Sequence, residues 1–570
     1  MEKQWLVRRN DDILATAKHL AQVLSVSPLV AKLLAQRGIK TYDEARDFFR
    51  PHLGLLHDPF LMKDMDRAVE RLSLAIGRGE SILVYGDYDV DGTTAVSLVY
   101  SYLRRLGVQA GFYIPNRYKE GYGISEVGVR YAAENHFTLV IALDCGIKAV
   151  ERIRLANELG VDFIICDHHL PGDELPAAVA VLDPTRTDCN YPFQELSGCG
   201  VGFKLLQAYT KHAGLEANDL LQYLDLVAMS IASDIVSLSG ENRVLSHAGL
   251  EMLNHHPSPG LNALRQIAGV GNRILKNEDV VFKLGPRINA AGRMLHGANA
   301  VHLLTADDET AARYWASEIN TSNNDRQVID RKITAEAVEM IEGSPNYEQR
   351  STTVLYNPKW HKGVVGIVAS RLVDQFYKPT IVLTDSNGEV AGSARSVEGF
   401  NLYDALESCA DLLTAYGGHR YAAGLTLPKE RLEDFMARFE QWVAAHITPE
   451  QKRPSIQVDA AVSLDELDGR FFRILNQFEP FGPDNMAPIL MAEHLLPDHN
   501  AKLIGRDKKH LRFTARQHGN SASFAAVAFS QAQYLDIVMH RPYRICFTLE
   551  QNNYFSPPSM QLNVRDIKAM

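Results

Sequence analysis

Three aspartates fall within five residues of the segment Gly86-Asp87-Tyr88-Asp89-Val90-Asp91-Gly92. Carboxylates this close repel one another unless water or cations neutralise them. The D-x-D-x-D-G spelling also opens an EF-hand calcium loop. The twelfth loop position, however, holds Leu98 instead of a bidentate Glu, and a strand pattern precedes it, so a calcium hand is excluded. The arrangement recurs along the chain. Apolar runs end on Asp144-Cys145-Gly146 and on Asp167-His168-His169, and an apolar helical stretch ends on Ser233-Asp234. Taken singly, each is explained by a helix cap or a satisfied core histidine; capping does not explain the repetition. Asp89, Asp91, Asp144, Asp167, His168, His169 and Asp234 together make an oxygen-rich set with imidazole, which suits a pair of Mn²⁺ or Mg²⁺ ions. Without cysteine in the set, structural zinc is disfavoured. Two divalent ions about 3.5–4 Å apart clamp the in-line attack of water on a phosphate ester. In that scheme Asp144, from the middle strand, bridges the ions, and His169 beside a metal-bound His168 donates to the phosphate. Arg117, Arg287, Arg293 and Arg395 are candidates for phosphate contact; each taken alone is equally well read as a structural salt bridge.

The elements that must position these groups are legible. Ile82–Tyr85, Phe112–Ile114, Leu139–Leu143, Phe163–Ile165 and Val179–Leu182 are continuous apolar runs, as in strands buried on both faces of a parallel sheet. Helical patterns separate them at Thr93–Leu106, Ser125–Asn135 and Lys148–Leu159, giving an α/β domain whose strand ends converge on one crevice. Leu221–Asp234 reads as a buried helix. From Asp307 to Glu342 there is neither Gly nor Pro. Thr305 with Asp308 offers a cap, so one helix of roughly 50 Å is expected at about 1.5 Å per residue. Its polar middle, Asn320–Gln327, suggests a solvated bridge between domains. A second α/β pattern follows, with strands Thr353–Tyr356 and Thr380–Thr384, helix Gly366–Phe376 and a closing helix Arg431–Ala445. Short runs at Ala501–Ile504, Leu511–Ala515, Ser523–Phe529 and Ile545–Gln551 suggest a small β-barrel.

The 570 residues suggest roughly three or four domains, and a content of 46% hydrophobic and 22% charged residues excludes global disorder. No apolar run reaches the length of a membrane span, and residues 1–12 show no secretory h-region. Six scattered cysteines without a C-x-x-C pair fit a reducing cytoplasm. The net charge of −10 argues against a protein that coats nucleic acid. Yet Ala501–Met570 carries a net +6, leaving −16 for the first 500 residues.

The four motifs Asp87-Tyr88-Asp89-Val90-Asp91-Gly92, Asp144-Cys145-Gly146, Asp167-His168-His169 and Ser233-Asp234 resemble the DHH phosphoesterase superfamily. Tyr416-Gly417-Gly418-His419-Arg420 resembles the GGH signature of its DHHA1 substrate-binding domain. With a C-terminal oligonucleotide-binding (OB) barrel, nearly the whole chain resembles the single-strand-specific 5′→3′ exonucleases of that superfamily. The resemblance implies an N-terminal helical region at 1–75, a DHH catalytic domain at 76–305 and a connecting helix at 306–345. A DHHA1 domain at 346–450 and an OB domain at 455–570 complete the series. It implies metal binding by Asp89, Asp91, Asp144, His168 and Asp234, with His169 assisting the phosphate. Smaller members place a His four residues before the first metal-binding Asp; Tyr85 stands there, so Asp87 is a candidate substitute. Ser393, Arg395, Gly417, Gly418 and His419 would hold the strand and its 5′-phosphate.

The basic tail then has a use. Lys502, Arg506, Lys508, Lys509, His510, Arg512 and Arg516, with Phe513, Phe524 and Phe529, would form a groove with aromatic platforms for single strands; a solvated loop face is the alternative for Lys508-Lys509. The implied activity is a processive exonuclease in DNA recombination and repair, releasing 5′-mononucleotides. It would work as a monomer, with a channel that admits one strand but not a duplex. Single-stranded DNA is the implied substrate, and single-strand-binding protein and a helicase the implied partners. A hydrolase of short oligonucleotides or cyclic dinucleotides is disfavoured by the length. An inactive scaffold is disfavoured by the intact carboxylates.

Overall fold

The computed structural model describes residues 2–8, 10–552 and 559–570; Met1 and Arg9 of the amino-terminal stretch lie outside them. The chain forms two compact units, one of residues 41–325 with 476–486, the other of residues 1–40, 326–475 and 487–570.

The first unit is built on a five-stranded sheet of β1 (Ile82–Gly86), β2 (Ala110–Tyr113), β3 (Leu139–Leu143), β4 (Asp162–Cys166) and β5 (Ala180–Leu182). All neighbours are parallel and the order is β2-β1-β3-β4-β5. The continuous apolar runs have the expected cause. Ile82, Val84, Leu139, Ile141 and Leu143 enter one core, while Leu83, Tyr85, Val140, Ala142 and Phe163 enter the core on the opposite face. The strand order reverses between β1 and β3, which opens a crevice at their carboxyl ends. Helices α1 (Val90–Arg105), α2 (Gly198–His212), α3 (Leu224–Ser233), α4 (Gly240–His255) and α5 (Gly285–Met294) complete this unit.

α6 (Glu309–Glu342) is the long helix, 34 residues without interruption. Two expectations about it are corrected. Asp308, not Thr305, caps it, accepting from the Thr310 and Ala311 amides at 2.8 and 2.9 Å; the Thr305 hydroxyl donates back to the Val301 carbonyl. The middle is not solvated all round, because Ser322 and Asn323 are buried. Ser322 is satisfied within the helix, its Oγ donating to the Glu318 carbonyl at 3.0 Å, so polarity alone misread exposure.

In the second unit, β6 (Thr353–Tyr356) pairs in parallel with β7 (Thr380–Ser386). β8 (Glu389–Arg395), β9 (Ala415–His419) and β10 (Ala422–Leu427) extend the sheet antiparallel in the order β9-β10-β8-β7-β6, and α7 (Val365–Phe376) packs on β7 and β8. The tail forms a seven-stranded sheet whose bridge Leu495↔Gln517 ties two non-neighbouring strands and curls the sheet on itself. The strand Gln4–Val7 pairs in parallel with Ser455–Val458.

Residues 476–486 join the first unit through several bonds, among them the Leu238 amide to the Pro483 carbonyl at 2.8 Å and the Asn277 amide group to that of Phe481 at 2.9 Å, and most extensively through Arg243 of α4, which is 4% exposed. Its guanidinium donates to the carbonyls of Phe478, Gln477 and Glu479 at 2.9, 3.2 and 3.1 Å, and to that of Phe48 at 3.0 Å. It also lies 3.9 Å over the Phe48 ring. A planar fork fits several carbonyls at once; an ammonium does not. Arg243→Lys is therefore expected to cost about 1–3 kcal/mol, the range for unsatisfied buried polar groups. Urea unfolding reads this, with new proteolysis within 476–486; an unchanged midpoint would refute it.

Candidate metal centre and strand-binding groups

Each strand end in the crevice presents its group by a local device. After β1, Asp87 is buried with both carboxylate oxygens unpartnered. Asp89 caps α1, its Oδ1 accepting from the Gly92 amide at 3.1 Å. Asp91, in the first turn of α1, points at the amino terminus of α2. Its Oδ2 accepts from the Gly198 amide at 2.7 Å and its Oδ1 from the Cys199 amide at 2.8 Å, with the Ser230 hydroxyl 2.7 Å away. These amides are the unpaired donors of a helix start, which favours negative charge there. Asp144, just past β3, has φ +58°, a left-handed conformation unusual outside glycine. It fits because residue 198 is glycine: a Cβ there would lie 2.6 Å from Asp144 Cβ and 2.8 Å from its Oδ1.

The centre of the cluster is His168. Its Nε2 lies 3.2 Å from Asp144 Oδ1, 3.5 Å from Asp234 Oδ2 and 3.9 Å from Asp91 Oδ2. None of these approaches is a hydrogen bond. His168 Nε2, Asp144 Oδ1 and Asp234 Oδ2 are all buried and unpartnered. Donor atoms that converge without bonding one another are what a cation ligand set requires. Asp91, His168 and Asp234 form one potential metal triad, and Asp144, His168 and His169 another. Asp87 and Asp89 belong to neither triad; both raise Asp144, and Asp89 also raises Asp234.

The electrostatics agree. Burial, then the charges of Asp91, Asp89 and Asp234, push the Asp144 carboxyl well above its ordinary range. Burial, then the charges of Asp91, Asp89 and Asp167, raise Asp234, and burial with Asp91 raises Asp89. Burial and Asp89 raise Asp87, with Arg117 as the opposing charge. Asp167 behaves differently, which corrects its placement among the converging groups. Burial would raise it, but the bond from His169 and the Ile147 amide overcome that and hold it below the usual range. Its Oδ1 takes His169 Nδ1 at 2.7 Å and the His168 amide at 2.8 Å; its Oδ2 takes the Ile147 amide at 2.9 Å. Asp167 therefore orients the two histidines.

Of the expected arginines, Arg117 lies 4.9 Å over the Tyr88 ring. Arg287 Nε donates to Asn320 Oδ1 at 3.0 Å, and the Arg293 carbonyl accepts from the Tyr118 hydroxyl. In the second unit, Ser393 and Arg395 lie on β8 against the first turn of α7. A Cβ at Gly366 would come within 3.2 Å of Ser393 Oγ and 3.1 Å of Arg395 Nη2. Gly417, Gly418 and His419 lie on the exposed edge strand β9. Gly418, at φ +145°, has no room for a Cβ beside Ala422 and Ala423. In the barrel Lys502, Arg506, Lys508, Lys509, Arg512 and Arg516 are all exposed. Lys502 pairs across the strands with Arg512, placing basic groups together on the outer face. Two aromatic platforms are corrected: Phe513 and Phe524 are 4% and 6% exposed, core residues of alternating strands; only Phe529, 55% exposed, is available to a ligand.

Sequence reading missed Gly198, Ser230 and Tyr122. The Ser197-Gly198-Cys199-Gly200 spelling signals a close approach of backbone, and Gly121-Tyr122-Gly123 a tight turn. It also missed Asp183 after β5, a fourth strand-end carboxyl. Burial pushes it up to about 7 against the opposing bonds from Thr185.

Three family matches follow the chain in order: the DHH family N-terminal domain over residues 81–231, the DHHA1 domain over 349–445 and the RecJ OB domain over 458–566. The single-stranded-DNA-specific exonuclease RecJ of Bacillus subtilis is 38% identical over 566 residues, covering 99% of this chain and 70% of that protein. The RecJ of Salmonella typhimurium is 33% identical, covering 95% and 96%. The crystal structure of Thermus thermophilus RecJ with Mn²⁺ superposes at a TM-score of 0.84 with 28% identity, covering 100% of this chain and 80% of that one. Its Mg²⁺ complex gives 0.78 with 26% identity, covering 100% and 78%. With matching modules, near full-length identity above 30% and a shared α/β, DHHA1 and OB architecture, the chain belongs to the RecJ family of DHH phosphoesterases.

Proposed function

We propose that the chain is a metal-dependent exonuclease of single-stranded DNA that works 5′→3′ and releases 5′-mononucleotides. The observation that carries this reading is the set of buried, unpartnered atoms Asp144 Oδ1, His168 Nε2 and Asp234 Oδ2 at the crevice of a DHH sheet. Family membership supports single-stranded DNA as substrate and Mn²⁺ or Mg²⁺ as cofactor.

Asp89, Asp91, Asp144, His168 and Asp234 would hold two divalent ions, with Asp87, unpartnered beside them, as a sixth candidate in place of the residue at Tyr85. Bound there, the ions supply an activated water and a Lewis-acid clamp on the scissile phosphate. The chain's own groups do the rest. Asp91, pinned by two helix amides, keeps its oxygens fixed, so little reorganisation is needed. Asp167 accepts the Nδ1 proton of a doubly protonated His169, whose second proton, at Nε2, is left toward the phosphate. Arg117, Arg287 and Arg293 are proposed phosphate contacts of the catalytic unit. Ser393, Arg395, Gly417, Gly418 and His419 are proposed contacts of the DHHA1 domain with the 5′ end. Lys508, Lys509 and Arg512 are proposed barrel contacts with the trailing strand. We further propose a role in recombination and repair as a cytoplasmic monomer, alongside a single-strand-binding protein and a helicase. Six buried free cysteines support the reducing compartment; family resemblance supports the rest.

The reading is tested with 5′- and 3′-labelled single strands and blunt duplex, with Mn²⁺ or Mg²⁺. Mononucleotides should appear from the 5′ end of single strands only. EDTA should abolish this, and Asp144→Ala should slow it by roughly 10²-fold or more, the scale of losing one transition-state charge partner. Equal attack on duplex would sink the proposal.

Two further outcomes follow from charge. Affinity for a long strand should fall with salt, with a logarithmic slope of about 0.7 per phosphate contact. Lys508→Ala, Lys509→Ala and Arg512→Ala together should shallow that slope by about 2; an unchanged slope would remove these residues from the strand path. The raised carboxyls set a pH dependence. Asp144 and Asp234 have folded values above the unfolded value of about 3.9. Stability from their protonated forms is therefore complete below about pH 4 and lost as pH rises through the folded values. Metal-free protein should thus lose melting temperature between pH 5 and 8 more steeply than an Asp234→Asn variant. Mn²⁺ at about 100 times its Kd should return about 2.7 kcal/mol, with more gained at pH 8 than at pH 5. A metal-free slope no steeper than the variant's would contradict the charge assignment.

A further inference from the structure

Tyr122 sits at the tip of a turn made by two left-handed glycines, Gly121 at φ +88° and Gly123 at +83°. Its side chain is 54% exposed and therefore open to a bound strand. The hydroxyl nevertheless makes two contacts with the metal centre. It donates to the Asp144 backbone carbonyl at 3.1 Å and lies 3.2 Å from His169 Nε2. A phenol has one proton, and a carbonyl can only accept it. Once that proton is committed to Asp144, the phenol oxygen is an acceptor toward His169 and Nε2 is the donor. Asp167 Oδ1 fixes the other end of the same ring through Nδ1 at 2.7 Å. His169 is thus held at both nitrogens, with Nε2–H presented from one fixed position.

The turn is itself anchored from the sheet. The Tyr85 hydroxyl donates to the Gly123 carbonyl at 2.9 Å and accepts from the Ser125 amide at 3.1 Å, one residue on either side of Ile124 and directly after Tyr122. Tyr85 is 1% exposed and stacked on Tyr113 at 5.3 Å, in the core on the face of the sheet away from α1. The position at which a ligand was sought is therefore occupied by a residue that holds a loop.

We propose that Tyr122 is a positioning residue of phosphodiester cleavage, its hydroxyl fixing the donor nitrogen of His169 against the left-handed turn at Asp144, and that Tyr85 anchors its loop. The inference rests on the reading above that His169 meets the scissile phosphate. A phosphate oxygen arriving at Nε2 takes over the place of the phenol oxygen, so the donor is aligned before the substrate binds.

The test uses the full chain with Mn²⁺ and a short 5′-phosphorylated single strand, comparing Tyr122→Phe, His169→Ala and the double variant. Tyr122→Phe removes one oxygen and keeps the ring, and should leave the thermal midpoint and Mn²⁺ binding, read by calorimetry, within about twofold of the parent. Its kcat should fall roughly 10-fold or more while KM stays within about twofold. In the His169→Ala background the same substitution should change kcat no further, because residues that act as a unit are not additive. Tyr85→Phe should reproduce part of the loss in kcat. A parental kcat for Tyr122→Phe, losses that multiply in the double variant, or a large loss of Mn²⁺ affinity would each overturn the proposal. His169→Ala with parental activity would instead overturn the role given to His169 in the cleavage reading.

Discussion

Everything in the catalytic unit answers to one electrostatic constraint: Asp87, Asp89, Asp91, Asp144 and Asp234 are gathered where few cationic side chains face them. Burial and mutual repulsion raise four of them. A flexible loop would relieve such crowding by moving apart. The parallel sheet prevents this for the groups after Gly86 and Leu143, which leave neighbouring strands locked in register from Ile82 to Gly86 and from Leu139 to Leu143, while Asp234 is fixed at the end of α3. Rigidity here is a consequence of cores on both faces of the sheet.

Within that constraint the protein divides its carboxylates by how they are solvated. Asp91 and Asp167 receive backbone amides and a side-chain partner, so the fold itself fixes where their oxygens point. Asp144, Asp234 and Asp87 keep oxygens without partners. The first group is held in place by the fold, Asp91 as a proposed ligand and Asp167 behind the histidines; the second stores unmet bonding capacity that a cation fulfils. The left-handed backbone of Asp144 belongs to the same logic. Local strain of order 1–3 kcal/mol is tolerated where the surroundings over-determine it, here through Gly198 and the Tyr122 hydroxyl on the Asp144 carbonyl.

How much of this was legible in the sequence depends on whether a feature was encoded locally. Strand ends carrying Asp89, Asp144 and His168 announced themselves, because a doubly buried strand must be an apolar run and its end is the next polar residue. The chemical role of Asp167 was not legible; only its donors separate an orienting carboxylate from a ligand. Phe513 and Phe524 look like platforms beside basic residues, but alternation along a strand sends neighbours to opposite faces, so Arg512 is outside and Phe513 inside. Ser322 was misread because a polar side chain that bonds its own helix is buried at little cost. Tyr122 and Tyr85 were illegible as a pair: 37 residues separate them, and their relation exists only across the end of the sheet.

Net charge shows why bulk numbers mislead at this scale. Screening limits the reach of exposed charges to about 10 Å at 0.1 M salt, so a strand bound at the barrel, as proposed, would respond chiefly to Lys502, Arg512 and their neighbours and little to the net charge of the whole chain. The buried carboxylates, in turn, are enclosed by the sheet and its helices. A chain of net charge −10 can thus present exposed basic side chains at one surface and a cation-seeking cluster in one core. Neither property is visible in the sum, because the two act in separate dielectric environments and over separate distances.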